Sequence, residues 1–250
     1  MKRCLFLIYV IFAVVLTGCY RPSDGQVAIS EPTLLIQPVM HQYTIGKSVQ
    51  NRPIEYCVLG AGGDVVFLMG AIHGNEPAGT KLLWQLLDYL MQNKQLLSGR
   101  TIVIIPAANP DGLEKNMKLN ANGVDLNRNF ATLNRINNRK NGFSALSEPE
   151  ARAIVQIISQ YKPDRIITIH QSLNCIDYDG PAEELARRMA QTSELPLNKL
   201  GARPGSLGSY AGLTLGIPII TLELPKNAEK LSPQSQWRRF GKMLIAAISF

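Results

Sequence analysis

The most regular feature of this sequence is a set of four short apolar runs, each bounded by polar or turn-forming residues. The runs cover residues 65–69, 102–105, 166–169 and 217–222. They are rich in β-branched residues and do not alternate with polar positions, which is typical of strands buried on both faces of a parallel sheet. Two further segments, 42–46 and 54–59, predict antiparallel edge strands.

Apolar residues with helical spacing fill the intervals between these runs. Three such patterns each place their apolar residues on one helical face. The first consists of Leu82, Leu83, Leu86, Leu87 and Leu90, and the second of Ile154, Ile157, Ile158 and Tyr161. The third, near the C-terminus, consists of Trp237, Phe240, Leu244 and Ala247. Residues 147–150, Ser-Glu-Pro-Glu, predict a capping box with an internal proline at the start of the second helix. The alternation of strands and helices predicts one α/β domain over residues 39–250. Its architecture would be a doubly wound, mixed and mostly parallel sheet with helices on both faces.

The first 19 residues predict a secretory signal rather than part of the domain. Lys2 and Arg3 give a basic start, residues 5–16 are apolar, and the stretch ends in Leu-Thr-Gly-Cys19. Such an apolar core is short for a bilayer span, which takes about 20 residues. The ending resembles the signal of bacterial lipoproteins, in which the cysteine is lipidated. We prefer this hypothesis to an uncleaved anchor or to plain secretion.

A lipoprotein signal implies a particular location for the protein. We predict a signal peptide at residues 1–18, a lipidated Cys19 and a tether over residues 19–38 that holds the domain at a membrane surface. The predicted location is the periplasmic face of the cell envelope. A residue other than aspartate at the position of Tyr20 favours the outer over the inner membrane.

Charge narrows the range of partners. The chain carries 26 Lys and Arg against 19 Asp and Glu, a net charge of +7, which suits an anionic envelope or an acidic substrate. The basic residues are scattered and no aromatic-basic stripe appears, so the sequence does not indicate nucleic-acid binding. We interpret the densest basic patch, residues 134–140, as a solvated loop.

Two cysteines, Cys57 and Cys175, remain in the predicted domain. In an oxidising compartment a disulfide between them is one outcome. Two buried free thiols are an equal alternative. The sequence does not set their separation, so both alternatives stay open.

Polar residues follow the predicted strands at their carboxyl ends, where ligands collect in sheets of this kind. His73 and Glu76 follow the first run, and His170 directly follows the third. Gly74 permits a tight bend between His73 and Glu76, and Pro77 suits the first turn of the next helix. Two histidines and one glutamate leave a fourth position for water on zinc, which is the arrangement of a catalytic site. The sequence therefore predicts one zinc ion per chain, held by these three side chains.

Glu223 lies between leucines at the end of the fourth run, in Thr-Leu-Glu-Leu-Pro. An ionised carboxylate without a partner is costly at such a position. We interpret Glu223 as a general base with a pKa raised toward neutrality, facing water at the metal. A salt bridge or a solvent-directed side chain is the alternative.

Taken together, these motifs resemble the zinc carboxypeptidase family, in its bacterial murein peptide amidase branch. The matching motifs are His-Gly-Asn-Glu-Pro-Ala-Gly at 73–79, Gly-Val-Asp-Leu-Asn-Arg-Asn-Phe at 123–130, Ile-His-Gln at 169–171 and Thr-Leu-Glu-Leu-Pro at 221–225. The resemblance runs from about residue 46 to the C-terminus and implies that Asp125 orients the first histidine. It also implies that Asn127 and Arg128 hold the free carboxylate of the substrate. The turn at 109–112, Asn-Pro-Asp-Gly, is implied to be structural.

Two further positions complete the implied site. Relatives usually carry an arginine just before the 123–130 block. This chain has Lys118, which keeps a positive charge for a developing oxyanion but loses the guanidinium fork. A tyrosine often gates such sites, and Tyr210 is the candidate here, with core packing as an equal alternative.

The resemblance implies a substrate as well. The implied reaction is promoted-water hydrolysis of the γ-D-glutamyl–meso-diaminopimelate bond in murein tripeptides. Asp177 and Asp179 are candidate partners for the extra ammonium of diaminopimelate, and stabilising a turn is the equal alternative for either residue. Two other functions stay open: an aspartoacylase-like zinc deacylase of small N-acyl amino acids, and a lipoprotein that binds murein peptides without cutting them.

Overall fold

The computed structural model describes residues 40–250. The predicted signal peptide, the lipidated Cys19 and the tether lie outside the described residues, and all three stay predictions. Within the described part of the chain, no helix combines the length and the hydrophobicity that a bilayer span needs.

Six strands form one mixed sheet, as the apolar runs predict. They are β1 (His41–Lys47), β2 (Pro53–Gly60), β3 (Asp64–Gly70), β4 (Arg100–Ile105), β5 (Arg165–Asp179) and β6 (Ile219–Pro225). The spatial order is β1-β2-β4-β3-β5-β6. The β4, β3, β5 and β6 strands are parallel neighbours, whereas β1 and β2 are antiparallel at one edge. The predicted α/β fold with a mostly parallel sheet is confirmed.

Helices cover both faces of this sheet. They are α1 (Ala78–Gln92), α2 (Pro110–Glu114), α3 (Pro149–Tyr161), α4 (Glu183–Ala190) and α5 (Pro233–Ile248). One core lies between the sheet and α1, α4 and α5, and the leucine face of α1 is fully buried there. A second core lies under α3 and a short π-helical segment, Gly208–Thr214. The doubly wound arrangement follows from these two cores.

The start of α3 differs from the prediction. Ser147 is not the N-cap, because the helix begins one residue later with Glu148 as N-cap and Pro149 in the first turn. The Ser147 hydroxyl donates to Glu148 Oε1 at 2.8 Å and accepts from Asn129 Nδ2 at 3.0 Å. The predicted capping box is therefore wrong, since this serine is used to fix the preceding loop.

Cys57 and Cys175 are both buried free thiols. Cys57 lies on β2, whereas Cys175 lies in the second half of β5, which pairs with the outer edge of β6. The β4 and β3 strands, the first half of β5 and the β6 strand therefore lie between the two cysteines. Five strand spacings amount to about 24 Å, whereas a disulfide needs Cα atoms within about 7 Å. The free-thiol alternative is therefore the one that the structure shows.

The long strand β5 turns back on itself around β6, and this turn builds the floor of the functional site. Its first half pairs with β6 in parallel register, from Ile166 opposite Ile219 onward. Its second half pairs with the same strand in the reverse direction, from Cys175 opposite Glu223 to Asp179 opposite Ile219. The chain therefore passes from one edge of β6 to the other, and we call residues 175–179 the return arm.

Candidate metal centre and substrate cavity

The loop after β3 bends tightly enough to bring His73 and Glu76 together. The Glu76 amide donates to the His73 carbonyl at 3.1 Å, which closes the turn. Gly74 is required here because of close packing: a Cβ at this position would lie 1.9 Å from the carbonyl carbon of Gly112. Gly112 belongs to α2, where Asn109 caps the helix by accepting from the Gly112 amide. The Asn-Pro-Asp-Gly turn therefore supports the metal loop and is structural, as predicted.

His73, Glu76 and His170 meet in one buried cluster. Their possible ligand atoms all lie within 4.8 Å of one another. The Nδ1 atom of His73 lies 2.8 Å from Glu76 Oε1, and the Nδ1 atom of His170 lies 2.9 Å from Glu76 Oε2. Burial acts to raise the pKa of Glu76, but hydrogen bonds from the two histidines outweigh burial and hold it at about 2. The carboxylate is therefore ionised and available as a ligand.

Asp125 contacts His73 on the side of the imidazole ring that faces away from Glu76. Its Oδ1 atom lies 3.2 Å from His73 Nε2, so the opposite ring nitrogen, Nδ1, is the one turned toward Glu76. The same oxygen accepts from the Asn127 amide at 3.0 Å, which fixes the carboxylate in place. Two imidazole nitrogens, one carboxylate and a carboxylate behind a ligand histidine form a donor set that suits zinc.

Glu223 lies beside this cluster on β6. It is directly opposite His170 in the parallel ladder, so both side chains leave the sheet on the same face. Its Oε2 atom accepts from the Leu173 amide at 3.3 Å. Burial raises the pKa of Glu223 above its ordinary value, although the neighbouring His170 acts against this. A carboxylate in this environment is suited to accept a proton.

A cavity of about 460 Å³ opens over the metal cluster and Glu223. Its other lining residues include five of the predicted site residues: Lys118, Asn127, Arg128, Asp177 and Asp179. The structure therefore brings together residues that lie more than 100 positions apart in the sequence. This is possible because the carboxyl ends of the parallel strands meet at one edge of the sheet.

Asn127 and Arg128 enter the cavity from a 3₁₀ turn, Leu126–Arg128. The Asn127 Oδ1 atom accepts from the Leu207 amide at 2.9 Å, which leaves the side-chain NH₂ group as a donor. One guanidinium nitrogen of Arg128 donates to the Asn127 carbonyl at 2.5 Å. The other guanidinium donors and this NH₂ group match the acceptors of a carboxylate.

Asp177 and Asp179 lie on the return arm of β5, and both are buried. Asp177 Oδ1 accepts from the amides of Tyr178 at 2.9 Å and Leu200 at 2.8 Å, which pins this carboxylate. Burial, together with the charge of Asp177, raises the pKa of Asp179 to about 6. The π-helical segment closes over Asp179 only because Gly208 lacks a side chain, since a Cβ there would lie 2.3 Å from Asp179 Oδ2.

Lys118 and Tyr210, the two other predicted site residues, lie in different places: Lys118 lines the cavity and Tyr210 does not. The Lys118 ammonium lies 3.8 Å from Asp125 Oδ2 and borders the cavity, and its role toward an oxyanion stays a prediction. Tyr210 is not among the lining residues of this cavity. Its ring stacks on Phe130, with 5.9 Å between the ring centroids, and it packs against the core under α3. This placement is the packing alternative rather than the gating role.

Sequence reasoning missed Arg203, which also lines the cavity. It lies in an irregular loop between α4 and the π-helical segment, where no hydrophobic period marks a position. The loop is placed by its contact with the return arm, through the Leu200 amide on Asp177. That contact joins residues whose proximity depends on how β5 folds back, so no local signal could have found Arg203.

Comparison with known proteins gives a consistent result. The family model for zinc carboxypeptidases matches residues 35–195. Murein peptide amidase A of Escherichia coli K12 is 32% identical over 199 residues, which cover 72% of this chain and 79% of that protein. The catalytic chain of human carboxypeptidase N is 28% identical over 213 residues, which cover 68% of this chain and 46% of that protein.

Solved structures show the same fold. The murein-tripeptide amidase of Escherichia coli O157 superposes with a TM-score of 0.67 at 25% identity, over 82% of this chain and 90% of that one. Carboxypeptidase A from Helicoverpa armigera superposes with a TM-score of 0.67 at 20% identity, over 84% of this chain and 69% of that one. The second likeness concerns the fold alone.

Proposed function

Because the chain belongs to the zinc carboxypeptidase family and is therefore a hydrolase, we propose that it removes the C-terminal residue from cell-wall peptides. The preferred bond is the amide between γ-D-glutamate and meso-diaminopimelate. Similarity to murein peptide amidase A and to the murein-tripeptide amidase of Escherichia coli supports murein peptides as the substrate class. The observation that carries the proposal is one cavity that joins the metal cluster, Glu223, the Asn127–Arg128 donors and two buried carboxylates.

His73, Glu76 and His170 would hold the zinc ion in this reaction. Zinc, when bound, polarises a carbonyl group and lowers the pKa of water at its open position. The cluster suits this role because each Glu76 oxygen already holds one histidine within 3 Å. Asp125 would keep the His73 ring in the orientation that the ligand set needs.

Glu223 would carry the proton of the reaction. It takes a proton from the attacking water as the new carbon–oxygen bond forms. It then gives that proton to the leaving nitrogen as the amide bond breaks. The raised pKa of Glu223 suits both transfers, since a carboxylate that binds a proton more strongly than usual is a better base toward water and can still release the proton to the leaving amine.

The remaining residues bind and orient the peptide. Arg128 and Asn127 hold its terminal carboxylate, and Lys118 stabilises the negative charge that develops on the carbonyl oxygen. Asp177 and Asp179 attract the side-chain ammonium of the C-terminal residue. Both carboxylates face the cavity, and this placement supports a role in specificity beyond turn formation.

We also propose that the protein is attached to the cell envelope through lipid on Cys19, with murein as the neighbouring substrate. The proposal is supported by the sequence of residues 1–19 alone. Metabolic labelling with a radioactive fatty acid tests it. Label should appear in the wild type and be lost in Cys19→Ala, whereas equal labelling of the two proteins would refute lipidation at this cysteine.

One assay tests the enzymatic proposal. The purified protein is incubated with L-alanyl-γ-D-glutamyl-meso-diaminopimelate, with and without a chelator, and products are separated by chromatography. We expect release of free diaminopimelate, its loss with the chelator and its return with added zinc. Cleavage of small N-acyl amino acids instead would indicate the deacylase alternative. Binding of the tripeptide and zinc without turnover would indicate the non-catalytic one.

A further inference from the structure

Arg203 is a positively charged residue that lines the substrate cavity, and the proposed reaction assigns it no role. Its backbone is fixed, because its carbonyl accepts from the Ser206 amide at 3.0 Å and from the Ser209 hydroxyl at 2.8 Å. Its guanidinium makes no hydrogen bond or ion pair within residues 40–250. The structure therefore holds an unpaired guanidinium at the edge of the cavity, available for an anionic group.

Two acidic residues, Asp177 and Asp179, line the same cavity as Arg203. The loop that carries it is attached to the return arm, because the Leu200 amide donates to Asp177 at 2.8 Å and the Ala202 backbone hydrogen-bonds to Asp179. Arg203 thus lies next to the residues that hold the two carboxylates. The two carboxylates and Arg203 therefore line the same cavity from two segments that are hydrogen-bonded to each other.

This pairing of charges fits one kind of side chain. A group that ends in both an ammonium and a carboxylate, as an amino acid does, satisfies the aspartates and Arg203 at once. The terminal main-chain carboxylate is matched separately by Arg128 and Asn127, which lie on a different turn. Apart from Lys118, which the proposed reaction assigns to the carbonyl oxygen, the cavity offers two cationic anchors, Arg128 and Arg203, and one anionic anchor, the pair of aspartates. A C-terminal diaminopimelate residue carries two carboxylates and one ammonium.

We infer that Arg203 binds the side-chain carboxylate of a C-terminal residue whose side chain ends in an amino-acid group, while Asp177 and Asp179 bind its ammonium. The inference rests on the proposed function and adds a specificity residue to it. A guanidinium suits this task because its planar fork donates two parallel hydrogen bonds to a carboxylate. A lysine side chain would satisfy the aspartates and leave Arg203 in solvent, so selectivity comes from an added interaction.

Three peptides with the same first two residues test this assignment. The first ends in meso-diaminopimelate, the second in the same residue with its side-chain carboxylate amidated, and the third in L-lysine. The full chain and its Arg203→Gln, Arg203→Lys and Arg139→Gln variants are compared by kcat/KM. Arg139 is an exposed arginine on a loop outside this cavity and serves as the matched control.

The wild type should prefer the first peptide over the amidated one by about 10-fold or more. Arg203→Gln should lower kcat/KM for the first peptide by a similar factor and leave the other two within about 3-fold of wild type. Arg203→Lys should restore part of the preference, and Arg139→Gln should change nothing. Unchanged activity on the lysine peptide shows that Arg203→Gln is folded.

Two other results would contradict the inference. Equal losses on all three peptides, or no loss on any, would overturn the role of Arg203 while leaving the proposed function in place. A wild-type protein that cleaves none of the peptides, although it binds zinc, would overturn the proposed function and this inference with it.

Discussion

His170 and Glu223 are directly paired across the parallel ladder between β5 and β6. The candidate ligand and the candidate base are therefore spaced by the sheet itself rather than by a loop. Thr168 and Thr221 form the next pair on the same face, so the floor of the site is a regular ladder. This rigidity matters because a misplaced catalytic group costs activity steeply.

Replacing Glu223 by glutamine should lower turnover strongly without loss of metal. The amide keeps the shape of the side chain but cannot take up a proton, and a general base contributes about 100- to 10,000-fold to rate. We expect kcat to fall within that range while zinc content by elemental analysis stays near that of the wild type. Glu55→Gln, an exposed glutamate on β2, is the matched control and should retain full activity. Full activity of Glu223→Gln would remove the base assignment.

Replacing Asp125 by asparagine should weaken metal binding. The change removes the negative charge behind His73 Nε2 but keeps the size of the side chain. Loss of such a supporting carboxylate lowers metal affinity by about 10- to 100-fold. Competition with a fluorescent zinc chelator measures this, with the exposed Asp88→Asn on α1 as control. Identical affinities for Asp125→Asn and wild type would show that Asp125 does not support the metal.

Replacing Asn127 by aspartate should weaken binding of peptides with a free C-terminus. The new carboxylate can still accept from the Leu207 amide, but it replaces the NH₂ donor by an oxygen that repels the substrate carboxylate. We expect KM to rise about 10-fold or more, with a smaller change for a peptide that ends in a carboxamide. Asn51→Asp, in the exposed turn between β1 and β2, is the control. A rise of equal size for both peptides would argue against a role in binding the terminal carboxylate.

The affinity for peptides that end in a cationic residue should fall in mild acid. Burial and the charge of Asp177 raise the pKa of Asp179 to about 6, while Lys199 and the Ala202 amide act in the opposite direction. Asp179 is therefore ionised above about pH 6, and its attraction for an ammonium is lost as the pH falls through that value.

The measurement is KM for a lysine-ended peptide between pH 5 and pH 8, with Asp179→Asn for comparison. A peptide with an uncharged C-terminal side chain corrects for every other group that titrates in the site. A KM ratio of the two peptides that stays flat with pH in the wild type would contradict the role of Asp179.

The strands and the metal cluster could be predicted from the sequence for a physical reason. Strands buried on both faces need continuous apolar runs, and the side chains that follow their carboxyl ends must share one edge of the sheet. His73, His170 and Glu223 all stand at such positions, so their meeting follows from the fold. The tight turn before Glu76 was also foreseeable, although the reason for Gly74 is contact with α2 rather than backbone freedom.

The rest of the cavity depends on pairing that no local pattern shows. The return arm forms a strand only because β6 offers a second edge to it, and the mixed sequence from Gln171 to Cys175 gives no period. Its turn decides where Asp177, Asp179 and Arg203 lie. The capping box failed for a similar reason, since Ser147 is engaged by a residue 18 positions earlier in the chain.

The fold-back of β5 separates two tasks along a single strand. Its inner half, between β3 and β6, carries the candidate metal ligand His170, whereas its outer half pairs with the outer edge of β6 and carries the two aspartates proposed to select the substrate side chain. Such a layout is modular, so exchanges at positions 177 and 179 could redirect the enzyme to other terminal amino acids without disturbing its chemistry. Engineering of new cleavage preferences should therefore begin on this outer segment.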